Sequence, residues 1–211
     1  VSECASHEDV LKMGRHFAAE AESGWDFNPR FQRRCEDFYP VDLNANLYHY
    51  EKLMEKFSVI LGEGNELLWS LRAEQRKQQM LALMKGEDGI FYDYDYRSGR
   101  RSPVVSAAVF NLLAADVLDK SDAQTLVEAV LDKLECRYGL AMCAEGDYGH
   151  DYQWSWPYGW APGAYMAVRG LENYGYRAEA RRLAEKYVDS ICRIYRRTGT
   201  LWEKYNVTDV F

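Results

Sequence analysis

The chain has 211 residues, 47% hydrophobic and 28% charged, which fits one globular domain with a real core and excludes a disordered segment. Its net charge is −7 and no basic stripe interrupts it, which argues against a nucleic-acid partner. No run of about 18 apolar residues occurs, so no apolar helix is long enough to span a membrane.

A helix from about Glu8 to Ala21 runs into Glu22-Ser23-Gly24-Trp25-Asp26, where Gly24 breaks it and Pro29 keeps it broken. Asp26 therefore sits in a loop just past a helix C-terminus and beside Trp25. Both neighbours disfavour a negative charge, the setting a general acid requires. The simpler reading pairs Asp26 with Arg30. Leu43, Leu47, Tyr50, Met54, Phe57 and Leu61 form one apolar helical stripe ending at Gly62, and a second helix runs from about Asn65 to Lys85. Residues 88–101 alternate like a short hairpin turning at Ser98-Gly99, with Asp93 and Asp95 on one exposed face.

Ser102 and Pro103 then read as the start of a helix that is apolar nearly all round and must be buried on most sides. Ser121 and Gln124 form a capping box for the next helix, whose Val127, Val130, Leu131 and Leu134 face inward. After a loop over about 136–161, a helix starts near Pro162 and ends around Tyr174-Gly175. The last long helix carries Ala180, Leu183, Tyr187, Ile191 and Tyr195 on one face, followed by a turn and Leu201-Trp202-Glu203-Lys204-Tyr205. The fold class is all-α, built of helical hairpins with inserted loops.

The most informative stretch is Gln153-Trp-Ser-Trp-Pro-Tyr-Gly-Trp-Ala-Pro162. So rigid and aromatic a loop either plugs a helical core or offers a platform to a flat ligand, and sugars suit such platforms. Glu203, like Asp26, is an acid beside a Trp just after a long helix; its simpler reading is a surface pair with Lys204. Two carboxylates flanking a sugar bond are the minimum machinery of a glycosidase, which spacing alone does not establish. The five cysteines (Cys4, Cys35, Cys136, Cys143, Cys192) contain no C-x-x-C and read as buried thiols, and the four histidines form no H-x-x-x-H pair. No metal site is indicated.

Taken together, these segments resemble the trehalases of glycoside hydrolase family 37. Residues 153–162 resemble that family's signature Q-W-D-x-P-x-G-W-x-P, Ser23-Gly-Trp-Asp26 its S-G-W-D, and Pro40-Val-Asp-Leu-Asn-Ala45 its P-[VI]-D-L-N-A. Gly89-Ile-Phe-Tyr-Asp-Tyr-Asp95 and Glu203-Lys-Tyr205 match further segments, in the family's order. The resemblance implies part of an (α/α)6 toroid and an inverting hydrolysis of α,α-trehalose to glucose, with no cofactor. Asp26 then corresponds to the general acid and Glu203 to the general base, with about 6.5–9.5 Å between their carboxyls. Ser23, Gly24, Trp25, Arg30, Gln153 and Trp154 correspond to positions around the sugar. Ser155 stands where the signature has Asp, so another α-glucoside, or a non-catalytic sugar-binding or helical interaction module, stays open. The family's first signature and its closing segment are absent, and about seven helices fall short of a toroid's twelve. The chain is expected to be the middle-to-late part of the domain. Its exposed inner helices, residues 103–118 above all, would be covered by the missing half or a second copy, and the chain alone would hydrolyse weakly or not at all.

Overall fold

A reciprocal cap starts the first helix in the computed structural model, which describes residues 6–150 and 152–209. The Ser6 hydroxyl accepts from the Asp9 N–H while the Asp9 carboxylate accepts from Ser6, and α1 runs over His7–Glu22. Helix α2 (Val41–Leu61) ends at Gly62, whose left-handed φ of 68° suits a residue without Cβ. Then follow α3 (Glu66–Leu83), α4 (Phe110–Ala114), α5 (Lys120–Leu134), α6 (Ala161–Asn173) and α7 (Arg177–Thr198).

Helices α2, α4 and α6 lie side by side in chain order, with α3 packed on α2 and α7 on α6. Their shared core includes Ala45, Phe110, Leu112, Leu113, Ala167 and Leu171, all fully buried. Helix α6 approaches α4 so closely that a Cβ on Gly170 would stand 2.7 Å from the Leu113 Cβ and 2.9 Å from the Phe110 carbonyl oxygen. Only glycine fits there.

The long connections are all at the end of the bundle where α2, α4 and α6 begin. They are stitched by small antiparallel sheets. Strand β2 (Tyr94–Asp95) pairs with both β1 (Phe38–Tyr39) and β3 (Arg100–Arg101), which realises the expected hairpin. Strands β4 (Glu135–Cys136) and β5 (Gly139–Leu140) form a second pair, and β6 (Tyr158–Trp160) pairs with β7 (Lys204–Asn206).

Several sequence expectations are corrected. No helix begins at Ser102: the Ser102 hydroxyl donates to the Arg30 carbonyl, Ser106 bridges to Cys143, and a 3-10 turn at Ala107–Val109 leads into α4. Backbone pairing with the 142–144 segment outcompetes helix propensity there. Nor is this stretch exposed, since α4 lies between α2 and α6. The exposed apolar face belongs to α2, whose Leu43, Tyr50, Met54, Phe57 and Leu61 all face solvent. Helix α5 is capped by Asp119, which accepts from the Asp122 N–H at 2.8 Å, and not by Ser121. Asp93 and Asp95 are buried rather than exposed. Burial raises the Asp95 carboxyl, but Arg34 at 2.7 Å and the Ser98 N–H more than offset it and hold it at about 2. Cys35 and Cys143 are buried thiols, whereas Cys136 is half-buried and Cys192 exposed; Cys4 lies outside the described residues.

Candidate active site

Gly24, with φ of 75°, turns the chain out of α1, and the Ser23 hydroxyl holds the turn by donating to the Glu20 carbonyl and accepting from the Trp25 N–H. Below the turn Glu20 is buried, and its carboxylate accepts both N–H donors of Asn28, at 2.8 and 3.2 Å. Burial raises the Glu20 carboxyl above its ordinary value, against the pull of the Asn28 N–H, and the charge of Asp26 adds to the rise.

Arg30 is fully buried beneath this loop. Its guanidinium donates to Asp93 at 2.9 and 2.8 Å and to Asp42 at 2.8 and 2.8 Å, and its carbon lies 4.5 Å from the Trp25 ring centroid. Burial lowers the affinity of such a group for its proton, but the two aspartates reverse that and keep Arg30 charged. The cluster carries one excess negative charge. Asp93 also accepts from the Val41 N–H at 2.9 Å and Asp42 from the Leu43 N–H at 3.0 Å, so that charge sits on the N-terminus of α2, where the helix dipole favours it. Pro40 has no side-chain cap to give α2, and Asp93 supplies one from 52 residues away.

On the other side of the loop, Gln153 donates to Asp26 and the Trp154 N–H donates to the Phe27 carbonyl at 3.3 Å. The Trp154 ring is stacked on both faces, by Trp160 at 4.0 Å and by Trp25 at 5.3 Å. The same segment then forms β6, whose register places Trp160 opposite Lys204 and Gly159 opposite Tyr205. A Cβ on Gly159 would stand 2.5 Å from the Leu140 carbonyl oxygen and 2.7 Å from Val207, so this glycine lets β5 and β7 close on β6. Glu203 is thereby held next to the segment that touches Asp26.

A cavity of about 1010 Å³ opens along this line, walled by Tyr152, Gln153, Ser155, Trp156, Tyr158 and Lys204 and by the 146–150 loop. A second hollow of about 490 Å³ shares Asp147, Tyr148, His150 and Tyr152 with it and adds Gln32, Arg33 and Val104. Phe27, Gln32 and Arg33 have φ of 60°, 50° and 62°, and such non-glycine left-handed residues gather where a binding site over-determines the backbone.

Of the residues singled out in the sequence, Gln153 lines this cavity; Asp26 is bonded to Gln153, and Glu203 directly precedes the lining residue Lys204, but Asp26, Glu203 and Trp25 are not themselves part of the cavity wall. Asp26 does not pair with Arg30; its side chain bonds only to Gln153 among the described residues. Glu203 is exposed and makes no side-chain hydrogen bond or ion pair among them, because the Lys204 ammonium lies over the Tyr158 ring at 4.2 Å instead. Two residues are corrected. Arg30 is 0% exposed and spends its donors on Asp42 and Asp93, so it supports the site from beneath. Trp154 is 6% exposed with both ring faces covered, so it offers a sugar no surface to stack on. Ser23 and Gly24 shape the turn, and Ser23 borders a different hollow with Asp42 and Asn46. Trp156, Tyr158, Lys204 and His150 line the cavity without having been singled out; their presence in or beside two conspicuous motifs was the available signal. No cluster of three or more metal-ligating side chains occurs among the described residues.

The five sequence motifs thus form one connected body, through the Asp26–Gln153, Arg30–Asp42, Arg30–Asp93 and β6–β7 links. The trehalase family profile matches residues 4–211. A probable trehalase of Eremothecium gossypii is 34% identical over 96% of this chain and 30% of its own length. The structure of the neutral trehalase Nth1 of Saccharomyces cerevisiae is 31% identical and superposes with a TM-score of 0.91 over 97% of this chain and 40% of that one. A glycoside hydrolase family 63 mannosylglycerate hydrolase of Thermus thermophilus, solved with glucose, shares the fold at a TM-score of 0.66 and 21% identity. The helices are accordingly an arc of an (α/α)6 toroid, and the chain spans about a third of the length of the curated relatives it matches. With the family profile matched nearly end to end, the chain belongs to the trehalase family.

Proposed function

We propose that this chain carries the acid and base of an inverting glycoside hydrolase that cleaves α,α-trehalose into two glucose molecules. The single observation that supports this best is the joining of Asp26 to the Gln153 segment and of that segment to the strand that follows Glu203, with Gln153 and Lys204 both lining a cavity large enough for a disaccharide. Asp26 gives its proton to the glycosidic oxygen as the bond to the anomeric carbon breaks, and the bonding electrons stay with that oxygen. Glu203, without a side-chain partner among the described residues, takes a proton from the water whose oxygen bonds to the anomeric carbon from the opposite face. One trehalose and one water give two glucose; Asp26 ends as carboxylate and Glu203 as acid, and solvent resets both.

The α2 stripe completes the reading. Leu43, Leu47, Tyr50, Met54, Phe57 and Leu61 recur at alternating steps of four and three residues, the spacing of a helix–helix seam. A helix of the same toroid, contributed from outside these 211 residues, is the proposed occupant. A second substrate reading has one observation in its favour. Ser155 is buried where the signature has Asp, and its hydroxyl is satisfied by the Tyr152 and Trp156 carbonyls, so the wall of the cavity lacks one carboxylate. Another α-glucoside would then be preferred.

Asp26→Asn and Glu203→Gln in the full-length protein test the roles. Each is expected to lower trehalose turnover by at least about a hundredfold with folding intact. Turnover unchanged in either variant would show the assigned role to be wrong, and a panel of α-glucosides ranks the substrate.

A further inference from the structure

We infer that Gln153 is a positioning residue that decides which oxygen of Asp26 carries the acid proton. The inference rests on the proposed role of Asp26 as general acid. The Gln153 Nε2 atom lies 3.0 Å from the Asp26 backbone oxygen and 2.9 Å from its Oδ2. A backbone carbonyl only accepts, so the amide must present its nitrogen here; the flipped amide would set oxygen against oxygen. Nε2 has two hydrogens, enough for both Asp26 oxygens. Oδ2 therefore receives an N–H in either protonation state of the carboxyl, and the carbonyl oxygen of a carboxylic acid accepts far better than its hydroxyl oxygen. In the acid form the proton sits on Oδ1.

The amide is held firmly enough to impose this choice. The Gln153 backbone carbonyl accepts from the Trp160 indole N–H at 2.9 Å. The next residue, Trp154, bonds to Phe27 and is clamped between Trp25 and Trp160, and Trp25 rests on the buried Arg30. Asp26 is thus tied on its main chain and on one carboxylate oxygen by a single side chain from 127 residues away. On cleavage Oδ1 gives its proton to the glycosidic oxygen, and the carboxylate left behind keeps its Gln153 bond on Oδ2.

Two substrates of different need separate this role from a structural one. Trehalose departs as a sugar alkoxide and needs the proton; α-D-glucosyl fluoride departs as fluoride and scarcely needs it. In the full-length protein, Gln153→Leu and the equal-sized Gln153→Glu, neither able to give the N–H, are expected to lower kcat for trehalose by about 10- to 100-fold, with KM within about threefold. Fluoride turnover is expected to stay within about threefold, and it reports at the same time that the variant has folded. Equal losses on both substrates, or unchanged trehalose turnover, would overturn the positioning role while leaving the reaction standing. A wild-type protein that does not cleave trehalose overturns the proposed reaction, and this role with it.

Discussion

Arg30 and Asp93 stand 63 residues apart in the chain and are joined by two hydrogen bonds, of 2.9 and 2.8 Å, in a setting that excludes water. With Asp42 they lock the acid loop, the start of α2 and the 88–95 segment to one guanidinium. Breaking a buried pair by removing one partner leaves an uncompensated charge and costs about 3–5 kcal/mol. Arg30→Met is therefore expected to lower stability by at least that much, since it strands two carboxylates. Asp93→Ala removes, besides its share of the pair, the oxygen that caps α2. Arg30→Lys does not rescue, because an ammonium cannot span two carboxylates as a planar fork does. Chemical denaturation checks this, and a loss under about 1 kcal/mol for Arg30→Met would contradict the account.

Glu20 gives a pH signature of the opposite sign from most carboxylates. Burial raises its folded-state value above the unfolded one, so the stability it contributes is fully present below the ordinary glutamate range and is lost as pH rises through the raised value. Glu20→Gln keeps an acceptor for both Asn28 N–H groups and removes the buried charge. The variant is expected to match wild type near pH 3 and to exceed it by about 1 kcal/mol at pH 7. Melting curves across that range decide it; a variant less stable at pH 7 would show that the charge itself is needed.

Gly159 is where the backbone of β6 meets β5 and β7. Gly159→Ala would force a methyl against the Leu140 carbonyl oxygen and Val207, and is expected to cost about 1–3 kcal/mol. Because β7 follows Glu203 directly, turnover should fall further than for an equally destabilising change elsewhere. The check is to compare it with Gly170→Ala, which crowds α4 against α6 away from the loops.

The order of the helices was legible in the sequence because it rests on local signals: apolar period, Gly62 and Gly199 as stops, and Pro162 in the first turn of α6. Asp26 and Glu203, the residues proposed as acid and base, were singled out through motif order. What was not legible is what each motif residue touches. Arg30 beside Asp26 reads in sequence like a sugar ligand or an ion-pair partner. Its true partners lie 12 and 63 residues on. Trp154 reads as a platform until the rings that cover it are located. Residues 103–106 have helix-like composition but are claimed by backbone pairing to residues nearly 40 positions away, which no local propensity reports.

The α2 stripe predicts behaviour in solution. The 211-residue chain on its own is expected to self-associate, and Met54→Glu with Phe57→Glu to reduce this, as read by light scattering on a sizing column. A monodisperse wild-type monomer would show that the stripe needs no cover.

The central claim is tested most directly by the anomers released from α,α-trehalose by the full-length protein, followed by proton NMR before mutarotation. One inversion per cleavage predicts equal amounts of β-glucose, from the attacked ring, and α-glucose, from the leaving ring. Release of α-glucose alone would contradict a water activated by Glu203 opposite Asp26.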